Sequence, residues 1–192
     1  METYGVPMSH TFNKEIFFDH VRGALFNGIL SQPQVTGMNF ILREWRKRYD
    51  FGGDHRRLAY MLATTFHETA FTMQPITEYG SSSYLQDKDY YPYIGRGFVQ
   101  LTWEENYQKG SRVCGEDLVG FPDLALEPDS AAIIMFDGME QGWFTGKSLS
   151  DYFNDEIDDP YNARRIINGT DRASEIAEYH YDFLTAITEA AV

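Results

Sequence analysis

His67-Glu68-Thr69-Ala70 stands at the end of a strongly apolar stretch and carries a carboxyl group out of it. A zinc protease reading needs a second His four residues after His67, and that position is Phe71. What remains is a carboxyl beside a tyrosine-rich loop, a setting that favours the neutral acid and suits a general acid. The same residue also reads as an exposed Glu near a helix end. Ten residues on, Glu78 lies in Pro75-Ile-Thr-Glu78-Tyr-Gly80. Two carboxyls facing each other across roughly 6.5–9.5 Å, with room for a water, would make an inverting glycosidase. Alone, Glu78 reads first as a solvated loop charge, and Asp87 and Asp89 compete for the base role.

A third signal runs from Tyr93 to Tyr107, Tyr-Ile-Gly-Arg96-Gly-Phe-Val-Gln100-Leu-Thr102-Trp103-Glu-Glu-Asn106-Tyr. Gly-Arg-Gly permits a tight turn and close backbone approach. Gln100, Thr102 and Asn106 carry neutral donors and acceptors suited to sugar hydroxyl and acetamido groups, and Trp103 and Tyr93 offer flat faces for stacking. Each also has a structural reading: a helix cap for Thr102, core for Trp103, a turn for the glycines. The Walker pattern of a phosphate loop is missing. A fourth signal is Asn162-Ala-Arg164-Arg165-Ile-Ile-Asn168-Gly169, a basic helix end closed by Asn-Gly. Arg96, Arg164 and Arg165 are candidates for pairing with the acids and orienting them.

Helices must position these groups. Apolar residues recur at helical spacing from Asn13 to Leu30, and Ser31 with Pro33 restarts the chain as a cap and first-turn proline. Val35, Met38, Leu42, Trp45 and Tyr49 form a stripe that Gly52-Gly53 breaks. Asp54 caps a third helix running to about Thr69. Residues 71–97 lose the period and read as long loops with a small hairpin; five tyrosines fall between Tyr79 and Tyr93. Thr102-Trp-Glu-Glu105 matches a capping box. Pro128 and Asp159-Pro160 open two more helices, the second ending at Asn168-Gly169. The last runs from about Asp171 with Ile176, His180, Phe183, Leu184 and Ile187 on one face.

Composition narrows the classes. The 192 residues suit one domain, residues 1–192, with no internal repeat or linker. A net charge of −13 disfavours nucleic acid and repels anionic membrane surfaces. One cysteine, Cys114, excludes an intramolecular disulfide framework. The five histidines, His10 among them, show no zinc spacing, so neither metal nor cofactor is expected. Met1 to His10 lack a basic start followed by an apolar run, so no secretory leader or stable membrane insertion is expected.

The order H-E-T, then Y-x-G-R-G-x-x-Q-L-T-W-x-x-N-Y, then I-I-N-G resembles glycoside hydrolase family 19, which holds chitinases and phage or bacterial endolysins. The likeness spans about Leu58 to Leu184. It implies a mainly α, lysozyme-like, two-lobed helical domain with a small loop and β-hairpin region lining a sugar cleft. It implies Glu68 as general acid, Glu78 as general base, and Thr102 as a third catalytic group helping to hold the water. His67, Tyr93, Arg96, Gln100, Trp103, Asn106, Arg164 and Asn168 then bind substrate. The loop around Glu78 is far shorter than in plant chitinases, the plant enzymes' disulfides are absent, and their Arg near Glu175 has no aligned partner. The reading that follows is a metal-independent, monomeric glycosidase of the endolysin branch that cleaves β-1,4 bonds of a bacterial cell-wall glycan. It would reside in the host cytoplasm before release to the wall, or travel in a virion. Chitin hydrolysis, glycan binding without turnover, and a peptidoglycan amidase or peptidase are the rivals.

Overall fold

The computed structural model describes residues 11–191; Met1–His10, where no leader is expected, and Val192 lie outside them. The element order is α1 (Lys14–Ala24), α2 (Gln32–Tyr49), α3 (His55–Glu68), β1 (Ile76–Thr77), α4 (Ser82–Gln86), β2 (Arg96–Gly97), α5 (Glu104–Cys114), α6 (Pro128–Gln141) and α7 (Ala173–Ala190). Short 3-10 segments occur at Pro122–Leu126, Leu149–Asp151 and Asn162–Ile166. The architecture is mainly α, as the sequence implies.

Local signals account for most helix starts. The Asn13 side chain accepts from the Glu15 and Ile16 amides. Ser31 and Gln34 form a reciprocal capping box, with Pro33 in the first turn. Asp54 accepts from the Arg56 amide. Helix α1 stops at Ala24, earlier than the apolar pattern suggested, because Asn27 and Gly28 take left-handed conformations at φ 51° and 82°.

Two other expectations are corrected. Thr102 does not cap α5: the helix begins at Glu104 after Trp103, whose φ is 74° and whose side chain makes no cap bond. The Thr102 hydroxyl donates instead to the Gln100 carbonyl at 2.8 Å. The stretch after Asp159-Pro160 is a 3-10 segment rather than a full helix. The Asp159 carboxylate accepts from the Asn162 amide and side chain, and the i+3 bonds Arg164 N–H to Tyr161 and Ile167 N–H to Arg164 follow. The 71–97 region does contain a two-stranded antiparallel ladder, with Ile76 opposite Gly97 and Thr77 opposite Arg96. Its connection also holds α4, a short helix capped by Ser81 that the lack of helical period there does not predict.

Two cores underlie the two lobes. The large one joins α1, α2, α3, α6 and α7 around Phe17, Met38, Trp45, Met61, Phe136 and Phe183. Helix α7 runs along both α3 and α1, and the ends of the described chain meet where the Asn13 amide bonds to the Ala190 carbonyl at 2.8 Å. Each fully buried large side chain contributes about 1.5–3 kcal/mol. The small core gathers Leu101, Tyr107, Leu118, Ala125 and Ile134. Residues 68–103 pass from one core to the other, so the cleft forms between them.

Gly37 sets how closely α2 approaches this crossing segment. A Cβ there would stand 1.6 Å from the Met73 carbonyl oxygen, which is backbone and cannot swing away. Gly37→Ala is therefore expected to lower stability by about 3 kcal/mol or more. Chemical denaturation would read this as a lower midpoint at unchanged slope.

Candidate active site

A cleft of about 490 Å³ is lined by Glu68, Glu78, Gln100, Thr102, Trp103, Asn106 and Asn168, all singled out from sequence. It is also lined by Gly95, read from sequence as part of a turn, and by Tyr90, Val99, Phe144 and Ile167, which were not singled out. His67, Tyr93, Arg96 and Arg164 do not line it, nor do Asp87 and Asp89. Of the three candidates for the base, Glu78 alone lines this cleft.

Glu68 is the last residue of α3. Its surroundings are less apolar than the sequence suggested, because Oε1 accepts from Arg164 Nη1 at 2.5 Å. Arg164 is 4% exposed and also donates from Nε to the Asp171 carbonyl at 3.1 Å. A buried guanidinium needs its donors satisfied, and here it holds one carboxyl oxygen while the other remains for substrate. Arg164 is thus a positioning residue behind Glu68 rather than a substrate contact. Of the three arginines proposed to orient the acids, it alone reaches one. Arg165 is exposed and bonds Asn162.

Arg96 corrects a sequence expectation. It is 8% exposed, pairs with Asp123 at 2.9 Å, and donates to the Pro92 and Ile94 carbonyls and to the Tyr107 hydroxyl. Its buried donors are consumed in bracing the small lobe, so it does not face the sugar site. Tyr93 likewise packs on Tyr107, with ring centroids 5.3 Å apart, in the small core. His67 is half-buried beside the site. Burial holds its imidazole below the ordinary value, with the Glu68 charge working against that and the Arg164 charge adding to it.

Glu78 follows β1 and is gripped from two sides. Oε1 accepts from the Tyr90 hydroxyl at 2.8 Å and Oε2 from the Gly95 amide at 3.0 Å, while its own amide bonds the Gly95 carbonyl at 2.7 Å. Burial and then the bond to Glu78 push the Tyr90 phenol up to about 12, so it remains a donor at neutral pH. A Cβ on Gly95 would meet Gln100 Oε1 at 2.8 Å and Glu78 Cβ at 3.3 Å, so a larger residue there would push the Gln100 side chain from its place. Nothing in the spacing of the five loop tyrosines distinguishes Tyr90; its role depends on how the loop folds back over Glu78.

Gln100 has φ 55°, and its Nε2 donates to the Ile76 and Gly97 carbonyls. It lines the cleft, yet its amide donors are committed to holding the loop on the strands. Asn106 Nδ2 braces the Thr102 carbonyl at 3.0 Å. Because the Thr102 hydroxyl proton is taken by Gln100, its oxygen faces the cleft as an acceptor only. Trp103 is 53% exposed and meets the Tyr90 ring edge-on at 5.4 Å, leaving a flat surface at the cleft wall. Asn168 Oδ1 accepts from the Gly169 amide. No group of three or more His, Cys, Asp or Glu among the described residues forms a metal set. No helix among them is long and apolar enough to cross a membrane.

Residues 73–162 match the family model described as chitinase class I, of glycoside hydrolase family 19. This segment includes Glu78 and the whole Tyr93–Tyr107 motif, while Glu68 and Asn168 lie outside it and join the site through the fold. Chitinase 8 of Oryza sativa subsp. japonica is 31% identical over 107 residues, covering 53% of this chain and 40% of that protein. Endochitinase 1 of Theobroma cacao is 34% identical over 122 residues, covering 53% and 37%. The chain thus spans about two fifths of the length of the curated relatives it matches. Among solved structures, chitinase C from Streptomyces griseus HUT6037 superposes with a TM-score of 0.64 at 19% identity, over 96% of this chain and 79% of that one. A bacterial family 19 chitinase gives 0.57 at 20% identity, over 90% and 93%. These two likenesses establish the shared fold. Motif, family match and fold agree in supporting a likeness to the chitinase-like glycoside hydrolase family 19.

Proposed function

We propose that the protein hydrolyses β-1,4 bonds in the glycan strands of peptidoglycan by single displacement with inversion. The observation that carries this reading is that Glu68 and Glu78, from two different elements, line one cleft, each with a carboxyl held by fixed donors. In the reaction, the Glu68 carboxyl proton passes to the glycosidic oxygen as the bond to C1 breaks. Glu78 takes a proton from a water whose oxygen attacks C1 from the opposite face. The Thr102 oxygen accepts the second water hydrogen, which fixes the attacking lone pair toward C1. Trp103 stacks on a sugar ring, and Asn168 offers amide donors to its hydroxyl or acetamido groups.

The single free cysteine, Cys114, supports the endolysin branch over disulfide-stapled secreted chitinases. In this reading the enzyme acts as a monomer on the bacterial wall after release from the host cytoplasm, or is carried in a virion. The printed names of the relatives favour the second reading, hydrolysis of chitin. Purified peptidoglycan and N-acetylglucosamine oligomers digested in parallel, with products read by mass spectrometry, separate the two. Muropeptides with a new reducing end support the proposal. Turnover of the oligomers with intact peptidoglycan replaces it with chitinase. Cut peptides with intact glycan strands return the amidase reading.

Two substitutions test the water side of the cleft. Glu78→Gln cannot take the proton, so turnover is expected to fall by about a hundredfold or more. The melting temperature should barely move, since the amide oxygen can accept from the Gly95 N–H while its NH2 donates to the Tyr90 hydroxyl, which rotates to accept. Thr102→Ala is expected to lower stability by about 1 kcal/mol through loss of the bond to Gln100. Turnover per folded molecule should fall further than that loss explains, while Thr102→Ser should remain close to the parent. Melting temperature and turnover measured on the same samples separate the two roles. Full turnover per folded Thr102→Ala molecule would leave Thr102 as a loop brace only.

A further inference from the structure

A second concavity, of about 470 Å³, opens on α1 and α2, away from the residues of the sugar cleft. Thr36, Asn39, Phe40, Arg43 and Arg46 recur at three- and four-residue steps, so they share one face of α2. Lys14, at the start of α1, joins them, and buried Leu42 and Phe51 supply an apolar wall. In a chain with a net charge of −13, three cations gathered in one pocket call for a physical reason.

The pocket is built rather than incidental. Lys14 Nζ donates to Asn39 Oδ1 at 2.6 Å, and Asn39 Nδ2 is itself fixed to the Val35 carbonyl at 2.9 Å. The Arg43 guanidinium lies 4.5 Å above the Phe40 ring and pairs with Asp129 of α6. The Arg46 side chain makes no hydrogen bond or ion pair among the described residues. Burial, then the charges of Arg46 and Arg43, hold the Lys14 ammonium below its ordinary value, so the cations are close enough to repel one another. One ion-paired acid, Asp129, leaves two positive charges uncompensated.

We propose that this pocket binds a phosphate ester with an apolar or ring-shaped body. Two guanidinium forks and an ammonium match the oxygens of a phosphate, and a dianion cancels the two surplus charges. The volume exceeds what a bare phosphate fills, and Phe40, Leu42 and Phe51 give the remainder of the ligand an apolar seat. A free monoester and an internal diester of an anionic polymer are the two sources of such a group. Both present phosphate oxygens to the guanidinium and ammonium groups, the monoester with up to two negative charges and the diester with one, and the site is independent of what the cleft hydrolyses.

The test uses the full chain with phenyl phosphate, methyl phenyl phosphate and benzoate, each titrated by calorimetry and by amide NMR shifts. Saturable binding of phenyl phosphate is expected, weakening with added sodium chloride. Shifts should centre on Asn39, Arg46 and Phe51. Arg46→Gln and Lys14→Gln, both at exposed positions, should each weaken it about tenfold. Turnover of a neutral N-acetylglucosamine oligomer, or of whichever glycan the enzyme cleaves, should be unchanged in both variants. Comparable binding of the methyl ester assigns the diester source, and binding of the monoester alone assigns the free ester. Absence of saturable binding, equal affinity for benzoate, or undiminished affinity in folded Arg46→Gln would each overturn the proposal.

Discussion

Glu68→Gln is expected to lower glycan turnover by about a hundredfold to ten-thousandfold while leaving the chain folded. The amide keeps the shape of the carboxyl, and its oxygen still accepts from Arg164, but it has no proton to give the leaving oxygen. Where Glu68 is ionised, its ion pair with Arg164 becomes a charge-to-neutral hydrogen bond in the variant, which costs about 1–2 kcal/mol at this largely buried position. Turnover and melting temperature on one preparation check both statements. A folded Glu68→Gln enzyme with near-parental turnover would remove the acid role and, with it, the two-carboxyl mechanism. Substrate affinity should survive, because Trp103 and Asn168 remain in the cleft.

The second large effect lies in the core. His180 is fully buried on α7, stacked on Phe153 at 5.3 Å and close to Tyr60. Neither ring nitrogen has a hydrogen-bond partner among the described residues. Burial, with the Arg56 charge adding and the Asp54 charge opposing, lowers its pKa from 6.5 to about 4. Between those two values the unfolded chain binds a proton that the folded chain rejects. Stability is therefore unaffected by this group above pH 6.5 and falls as the pH drops toward 4, by about 3 kcal/mol in all. His180→Leu should remove that slope and make the variant the more stable protein at pH 5. Urea midpoints from pH 7.5 to 4.5 provide the measurement. His67, held below its ordinary value in the same direction, contributes to the parent slope and remains in the variant, so the difference between the two isolates His180. An unchanged slope in His180→Leu would show that His180 takes up a proton without unfolding the core.

The carboxyl pair, the polar loop residues and the helical frame are legible in the sequence because each depends on residue type over a short span. Ser31, Asp54 and Pro128 announce helix starts by satisfying or forgoing amides within three positions, and the fold keeps all three. His180 is legible as a core position from its spacing with Ile176 and Phe183, though its lack of polar partners is not. The same local logic misleads at Thr102. The Thr-x-x-Glu spacing is right for a cap, but the turn that brings Gln100 and Trp103 to positive φ redirects the hydroxyl to a carbonyl two residues back.

By itself, then, the sequence determined most of the helices, the mainly α class, Glu68 as the candidate acid and the family likeness. All of these arise from periodicity, caps and motif spacing, which involve neighbours a few bonds away. Only the tertiary structure decided which arginine serves the site. Arg96 and Arg164 look alike in sequence, yet one is drawn into the small core by Asp123 and Tyr107, while the other reaches Glu68 across 96 residues. It also decided that Tyr90, among five tyrosines, holds Glu78, and that Lys14 meets Arg43 and Arg46 in one pocket. The physical reason is common to these cases. A long polar side chain can satisfy its donors with any acceptor within reach, and which acceptor comes within reach is set by how the two cores pack, not by the residues beside it in the chain.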